Sequence, residues 1–172
     1  IGSLRDFKER YPNAQIMSSA VQAEYITGEK PSLRLASLMA NINTLEGKEK
    51  EFAAQRIEII RSVEDCQVDS YVEDNEAISK DGDVVCIDTP GHMPGHISVY
   101  VKSSKTLIAG DAMNVTEHGL RGANPLFTFD MEEASRSIQK MSNLEIERII
   151  CYHGGEYKNN SQVAIKRLAD KQ

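Results

Sequence analysis

Thr89-Pro90-Gly91-His92-Met93-Pro94-Gly95-His96 runs directly into Ile97-Ser98-Val99-Tyr100-Val101. Pro90, Gly91, Pro94 and Gly95 all oppose regular helix or strand. The octapeptide is therefore a loop of fixed path. Val84-Val85-Cys86-Ile87 before it and Ile97–Val101 after it read as strands. A rigid loop at a strand end that carries imidazoles is a natural place to hold a metal ion. A structural turn with an incidental histidine is the plainer reading of these eight residues alone.

Two positions further along repeat the context. Leu107-Ile108-Ala109-Gly110-Asp111 is an apolar strand ending in a carboxylate. Ile149-Ile150-Cys151-Tyr152-His153-Gly154-Gly155 is one ending in an imidazole. Taken singly, Asp111 reads as a turn or cap residue as readily as a ligand. Together, His92, Asp111 and His153 place the donor types that suit zinc and similar ions at the rim of one sheet. Cys151, two residues before His153, falls on the opposite side of the strand from Tyr152. It is expected in the core and not among the ligands.

Upstream, apolar periodicity predicts helices. Leu4 and Phe7 share a face behind Ser3, with Asp6 three residues later as a capping-box variant, and Tyr11-Pro12-Asn13 ends that helix. Ala14–Ser18 reads as a short strand. Ser19 and Gln22 form a second capping pattern, for a helix stopping near Gly28. Leu35, Leu38, Met39 and Ile42 define a third, broken at Gly47. Lys48 to Glu64 is a fourth, with Phe52, Ala53, Ile57, Ile60 and Val63 on one side.

From Gln67 onward strands dominate. Gln67–Val72 is one. Lys80-Asp81-Gly82 predicts a hairpin between Glu76–Ser79 and Asp83–Ile87, and 102–105 a second between Ile97–Val101 and Thr106–Ala109. Ala112 to Phe129 reads as a long loop, with Asn114, His118, Arg121 and Asn124 as candidate substrate contacts. Asp130 with Glu133 starts a helix bearing Ala134, Ile138 and Met141, Arg148–Tyr152 is a strand, and a last helix runs from Asn160 or Ser161 to Ala169.

The totals narrow the function. The 172 residues, 40% hydrophobic, suffice for one domain over 1–172. A net charge of −6 gives no general attraction to nucleic acid or a membrane surface, and neither partner is expected. Cys66, Cys86 and Cys151 are odd in number and far apart, so a reducing, cytoplasmic setting is expected without a disulfide framework.

In three motifs, Thr89-Pro90-Gly91-His92-Met93-Pro94-Gly95-His96, Ala109-Gly110-Asp111-Ala112 and Tyr152-His153-Gly154-Gly155, the chain resembles the C-terminal part of a metallo-β-lactamase-fold hydrolase. The resemblance implies a mixed α/β fold, a four-layer αβ/βα sandwich with helices outside two facing sheets. It implies two divalent metal ions as cofactors, zinc first, with iron or manganese as alternatives. His92 would bind one ion, His153 the other, and Asp111 would bridge them. His96 would stabilise the loop without being a ligand.

The family's leading motif, His-x-His-x-Asp-His, does not occur in this sequence, whose histidines are His92, His96, His118 and His153. The expectation is an N-terminally incomplete fold whose missing strands and first motif precede Ile1. The chain as given is then expected to be inactive and metal-poor.

For the whole protein the resemblance implies a metal-dependent hydrolase, acting through a metal-bound hydroxide on a small ester, thioester or lactone. No catalytic side-chain nucleophile is then required. Asn114 stands where the family's acyl-homoserine lactonases carry a tyrosine, which argues against that specificity. The alternatives are a non-catalytic scaffold or binding member, or an iron-dependent oxidoreductase of the same fold. Open sheet edges left by missing strands would favour homo-oligomers.

Overall fold

Serine hydroxyls start two of the N-terminal helices. In the computed structural model, which describes residues 3–63 and 65–171, Ser19 accepts from the Gln22 N–H and Ser32 from that of Leu35. Each satisfies one of the orphan donors of a helix start. The helices of the first unit are α1 (Leu4–Arg10), α2 (Ala20–Ile26), α3 (Leu33–Asn41) and α4 (Gly47–Arg61). Two short strands, β1 (Met17–Ser18) and β2 (Ser70–Tyr71), pair in parallel. Asp69 ties this pairing down, accepting from the Ile16 N–H and from Lys8 Nζ, both at 2.7 Å.

Several local expectations change here. Ser3 stands at the start of α1 but makes no side-chain cap bond. Gly47 opens α4 instead of merely ending α3, because a 3₁₀ turn at Ile42–Thr44 has already closed the earlier helix. On α4, Ala53 and Ile57 are buried while Phe52 is exposed. Glu64, the expected end of that helix, lies outside the described residues, as do Ile1 and Gly2.

The chain clusters into two compact units, Ile1–Tyr71 and Val72–Gln172. The second is built on a five-stranded mixed sheet. Its strands are β3 (Val84–Asp88), β4 (Ile97–Val101) and β5 (Thr106–Gly110), followed later in the chain by β8 (Arg148–Cys151) and β9 (Gly155–Tyr157). The order across the sheet is β3-β4-β5-β8-β9, and only the β5–β8 pair is parallel. Between β5 and β8 the chain forms the antiparallel pair β6 (Met113–Thr116) and β7 (Gly119–Gly122), then α5 (Met131–Ser142). It ends in α6 (Ser161–Ala169).

Period-two alternation explains the core. Val85, Ile87, Tyr100, Leu107, Ala109, Ile149 and Cys151 share one cluster with Ile138 and Met141 of α5 and Ile165 of α6. Val99, Ile108 and Ile150 occupy the other face and are half-buried or exposed, whereas Cys86, on that face of β3, is buried. This is a sheet with its covering helices on one face, as the resemblance implies for the C-terminal half of the fold.

The structure refines the sequence readings in three places. The expected long loop from Ala112 to Phe129 contains the β6–β7 hairpin and a 3₁₀ turn at Pro125–Phe127. Its strands are four residues long, too short for alternation to show. The hairpin expected around Lys80-Asp81-Gly82 forms in short form: Ala77 pairs antiparallel with Val85, and the Ile78 N–H donates to the Val84 carbonyl and the Cys86 N–H to the Glu76 carbonyl, both at 2.8 Å. Beyond His153 the chain returns as β9, pairing antiparallel with β8.

Candidate metal centre

α5 dictates the path of the His92 loop. Its Asp130 caps the helix, accepting from the Glu133 N–H at 2.8 Å. The helix then takes up the loop's carbonyls. Ser137 Oγ donates to the Pro90 carbonyl at 2.7 Å and Lys140 Nζ to that of Asp88 at 2.9 Å. The Asp130 N–H donates to the Gly91 carbonyl at 3.0 Å. Gly91, at φ 122°, lies so close to the helix that a Cβ there would sit 2.2 Å from the Ala134 nitrogen. Only glycine fits both that space and that conformation. The far side of the loop is closed by the Thr89 N–H donating to the His96 carbonyl at 2.9 Å.

Asp111 is placed by an irregularity in the sheet. The β5–β8 register shifts between Ile108 and Gly110, and the Ala112 N–H turns back to the Ala109 carbonyl at 3.1 Å. The carboxylate leaves the strand at this break. His153 sits on the turn between β8 and β9, with its carbonyl accepting from the Val115 N–H at 3.0 Å. Its ring packs edge-on against Tyr152, 4.9 Å between centroids.

The three sequence-predicted residues come together. His92 Nε2 lies 3.9 Å from one Asp111 carboxylate oxygen, and His153 Nε2 lies 3.5 Å from the other. Asp111 therefore stands between the two histidines with one oxygen turned toward each. Solvent access differs along the row: the side chains are 11% exposed at His92, 32% at Asp111 and 73% at His153.

The donor types suit a divalent transition metal. Shared between two ions, they give each only two donors, fewer than the three a catalytic zinc takes from protein. His92 with Asp111 makes one pair and Asp111 with His153 another. Among the described residues, no three His, Cys, Asp or Glu side chains converge as a group able to hold an ion. The residues thus fit as halves of two sites, not as one complete site.

The family profile of the metallo-beta-lactamase superfamily matches residues 1–153. The chain belongs to the metallo-β-lactamase superfamily. A curated relative, the probable metallo-hydrolase YflN of Bacillus subtilis (strain 168), is 36% identical over 96 residues, covering 46% of this chain and 36% of that protein. The chain's matched part spans only about a third of the length of the curated relatives. Among solved structures, the archaeal superfamily protein ST1585 from Sulfolobus tokodaii superposes with a TM-score of 0.64 at 20% identity, over 99% of this chain and 62% of that one. TTHA1623, solved in a di-iron-bound form, superposes at 0.59 with 17% identity, over 92% and 66%. These likenesses establish the metallo-β-lactamase fold.

Two of the other expected contacts are spent on local structure. Asn114 Nδ2 donates to the Gly122 carbonyl at 2.6 Å and holds the β6–β7 hairpin. Asn124 Oδ1 accepts from the Leu126 N–H and caps the 3₁₀ turn. His118 is exposed at the hairpin turn, 3.3 Å from the Glu117 carboxylate, and Arg121 is exposed on β7. Cys151 lies in the core, where burial pushes its thiol up to about 12. Burial, reinforced by the neighbouring His92, pushes His96 down to about 4, so its ring is neutral at pH 7. Ser137 and Lys140 were not legible as loop anchors from sequence. Their only signal is that both follow Asp130 on one helix, and nothing in the pattern says which loop that helix meets. Among the described residues, no helix is long and apolar enough to cross a membrane.

Proposed function

We propose that His92, Asp111 and His153 are a partial ligand set for two divalent metal ions, with Asp111 shared. We further propose that the whole protein is a metal-dependent hydrolase of a small ester, thioester or lactone. The observation that supports this reading best is the position of Asp111, one oxygen 3.9 Å from His92 Nε2 and the other 3.5 Å from His153 Nε2. A carboxylate held between two imidazoles has the geometry of a bridge. Superfamily membership and the metallo-hydrolase name of its relatives point the same way.

When bound, such ions polarise a scissile carbonyl and bring the pKa of an attacking water toward neutrality. This chain's residues do the holding. The His92 loop, fastened to α5, keeps one imidazole shielded. The β8–β9 turn presents the other to solvent, on the side open to a small substrate. The donors still needed to complete either ion lie outside these three residues. With a charge of −6, the chain favours uncharged or cationic small substrates over nucleic acid.

The test is metal analysis for zinc, iron and manganese in the complete protein, with hydrolysis of a panel of esters, thioesters and lactones. Asp111→Asn keeps the shape but weakens the bridge. It is expected to lower metal content and reduce turnover at least about a hundredfold, the scale on which loss of a catalytic group is felt. Unchanged metal content and turnover in Asp111→Asn would overturn the proposal. Metal binding without turnover on any substrate would favour a binding member of the superfamily over a hydrolase.

A further inference from the structure

His96 faces the same centre as His92 yet is occupied by other partners. Its Nε2 lies 3.3 Å from the Asp111 backbone nitrogen, and its Nδ1 lies 2.9 Å from Thr89 Oγ1. Thr89 Oγ1 is in turn 2.8 Å from Ser98 Oγ, and Ser98 Oγ is 3.3 Å from the Ala109 carbonyl oxygen. Thr89 and Ser98 are almost wholly buried, at 0% and 1% exposure. A hydroxyl in such a place is costly unless it is paired.

The chemistry of the two ends gives one consistent direction to the bonds between them, with Met141 Sδ, 3.7 Å from Ser98 Oγ, as a second acceptor for that hydroxyl. A backbone N–H can only donate, so His96 Nε2 accepts from Asp111. A neutral imidazole carries one proton, and that proton must then be on Nδ1. Nδ1–H donates to Thr89 Oγ1. The Thr89 hydroxyl, having accepted, donates to Ser98, and the Ser98 hydroxyl donates to the Ala109 carbonyl, which can only accept. Ala109 and Asp111 are two residues apart, so the covalent chain closes the circuit. It joins the end of β3, the start of β4, the end of β5 and the turn that carries Asp111.

We infer that His96 is a positioning residue, held as the Nδ1–H tautomer, which fixes the Asp111 turn against the His92 loop through a closed hydrogen-bond circuit with Thr89 and Ser98. The circuit leaves neither ring nitrogen of His96 available to a metal ion. It also explains Gly110. At φ 57°, a Cβ on Gly110 would lie 2.8 Å from His96 Nε2, so glycine is what lets the ring reach the Asp111 N–H. Hydrogen-bonded supports of this kind typically govern metal affinity about 10- to 100-fold. The inference rests on the reading of Asp111 as a ligand for its consequence, but not for its geometry.

Two measurements on the complete protein test it. The first is a long-range proton–nitrogen correlation spectrum of the unaltered protein with labelled histidine, which requires no metal and no activity. It should show His96 as the neutral Nδ1–H tautomer. An Nε2–H tautomer would overturn the circuit. The second is cobalt(II) titration followed by visible absorption. Thr89→Val and His96→Leu should weaken binding about 10- to 100-fold with unchanged stoichiometry. His96→Gln, whose amide oxygen can replace Nε2 as acceptor, should restore most of it. Loss of one metal equivalent in His96→Gln would overturn the inference by making His96 a ligand. If the unaltered protein binds no cobalt, the ligand reading of Asp111 fails, and the tautomer alone still decides whether the circuit exists.

Discussion

His92 and His153 occupy the same kind of position, just past the end of an apolar strand, yet their supports are opposite. At His92 the carbonyls of Asp88, Pro90 and Gly91 are all taken up by α5 or the residue that caps it. The side chain is 11% exposed. At His153 one carbonyl is held by Val115, and the side chain, 73% exposed, leans on Tyr152, itself exposed. One imidazole is built into the packing of the sheet. The other is displayed at its rim. A motif that places a residue at a strand end therefore does not say how firmly it is held, which depends on what packs across the loop.

The contrast is broken most severely at Gly91. Gly91→Ala forces a Cβ into the α5 backbone at a conformation unfavourable to it. The cost should be on the order of 3 kcal/mol or more, visible in urea unfolding as a large fall in midpoint. A variant as stable as the parent would mean that the loop does not depend on α5.

A smaller effect is expected at high pH on the β3 strand that feeds the His92 loop. Cys86 is wholly buried, and burial, with the nearby Asp88 and Asp74 charges, pushes its thiol from 9.0 up to about 11. The folded value lies above the unfolded one. The stabilisation is therefore full below about pH 9 and is lost as pH rises from there toward 11. Two pKa units correspond to at most about 3 kcal/mol. Unfolding measured from pH 7 to 11 should show this decline, and Cys86→Ala should remove its part of it. An identical decline in the variant would assign the alkaline loss elsewhere.

The least effect on stability is expected at the other histidine. His153→Ala removes an exposed ring and should change unfolding free energy by less than about 0.5 kcal/mol, while lowering metal content. A large destabilisation would show that the β8–β9 turn is as integral to the packing as the His92 loop, and the contrast would disappear.

Much of this was legible in the chain. The helix starting at Asp130 is where its capping pattern predicts, because the Asp130 carboxylate reaches the Glu133 N–H within one turn. The β4–β5 hairpin and the last helix likewise follow from local signals. The β6–β7 hairpin and β9 were not legible, since strands of three or four residues carry no period. Their pairing is decided by neighbours distant in sequence.

By itself the sequence determined the donor types, their order, and the strand-end setting of His92, Asp111 and His153, because apolar periodicity and glycine punctuation are local properties. The family resemblance also implied that His96 is not a ligand. Only the tertiary structure decided that the carboxylate of Asp111 lies between two imidazoles, that Ser137 and Lys140 hold the loop from α5, and that Thr89, His96 and Ser98 form one circuit. Those contacts join residues as many as 52 positions apart. The sheet register and the packing of α5 bring them together, and no local pattern encodes either.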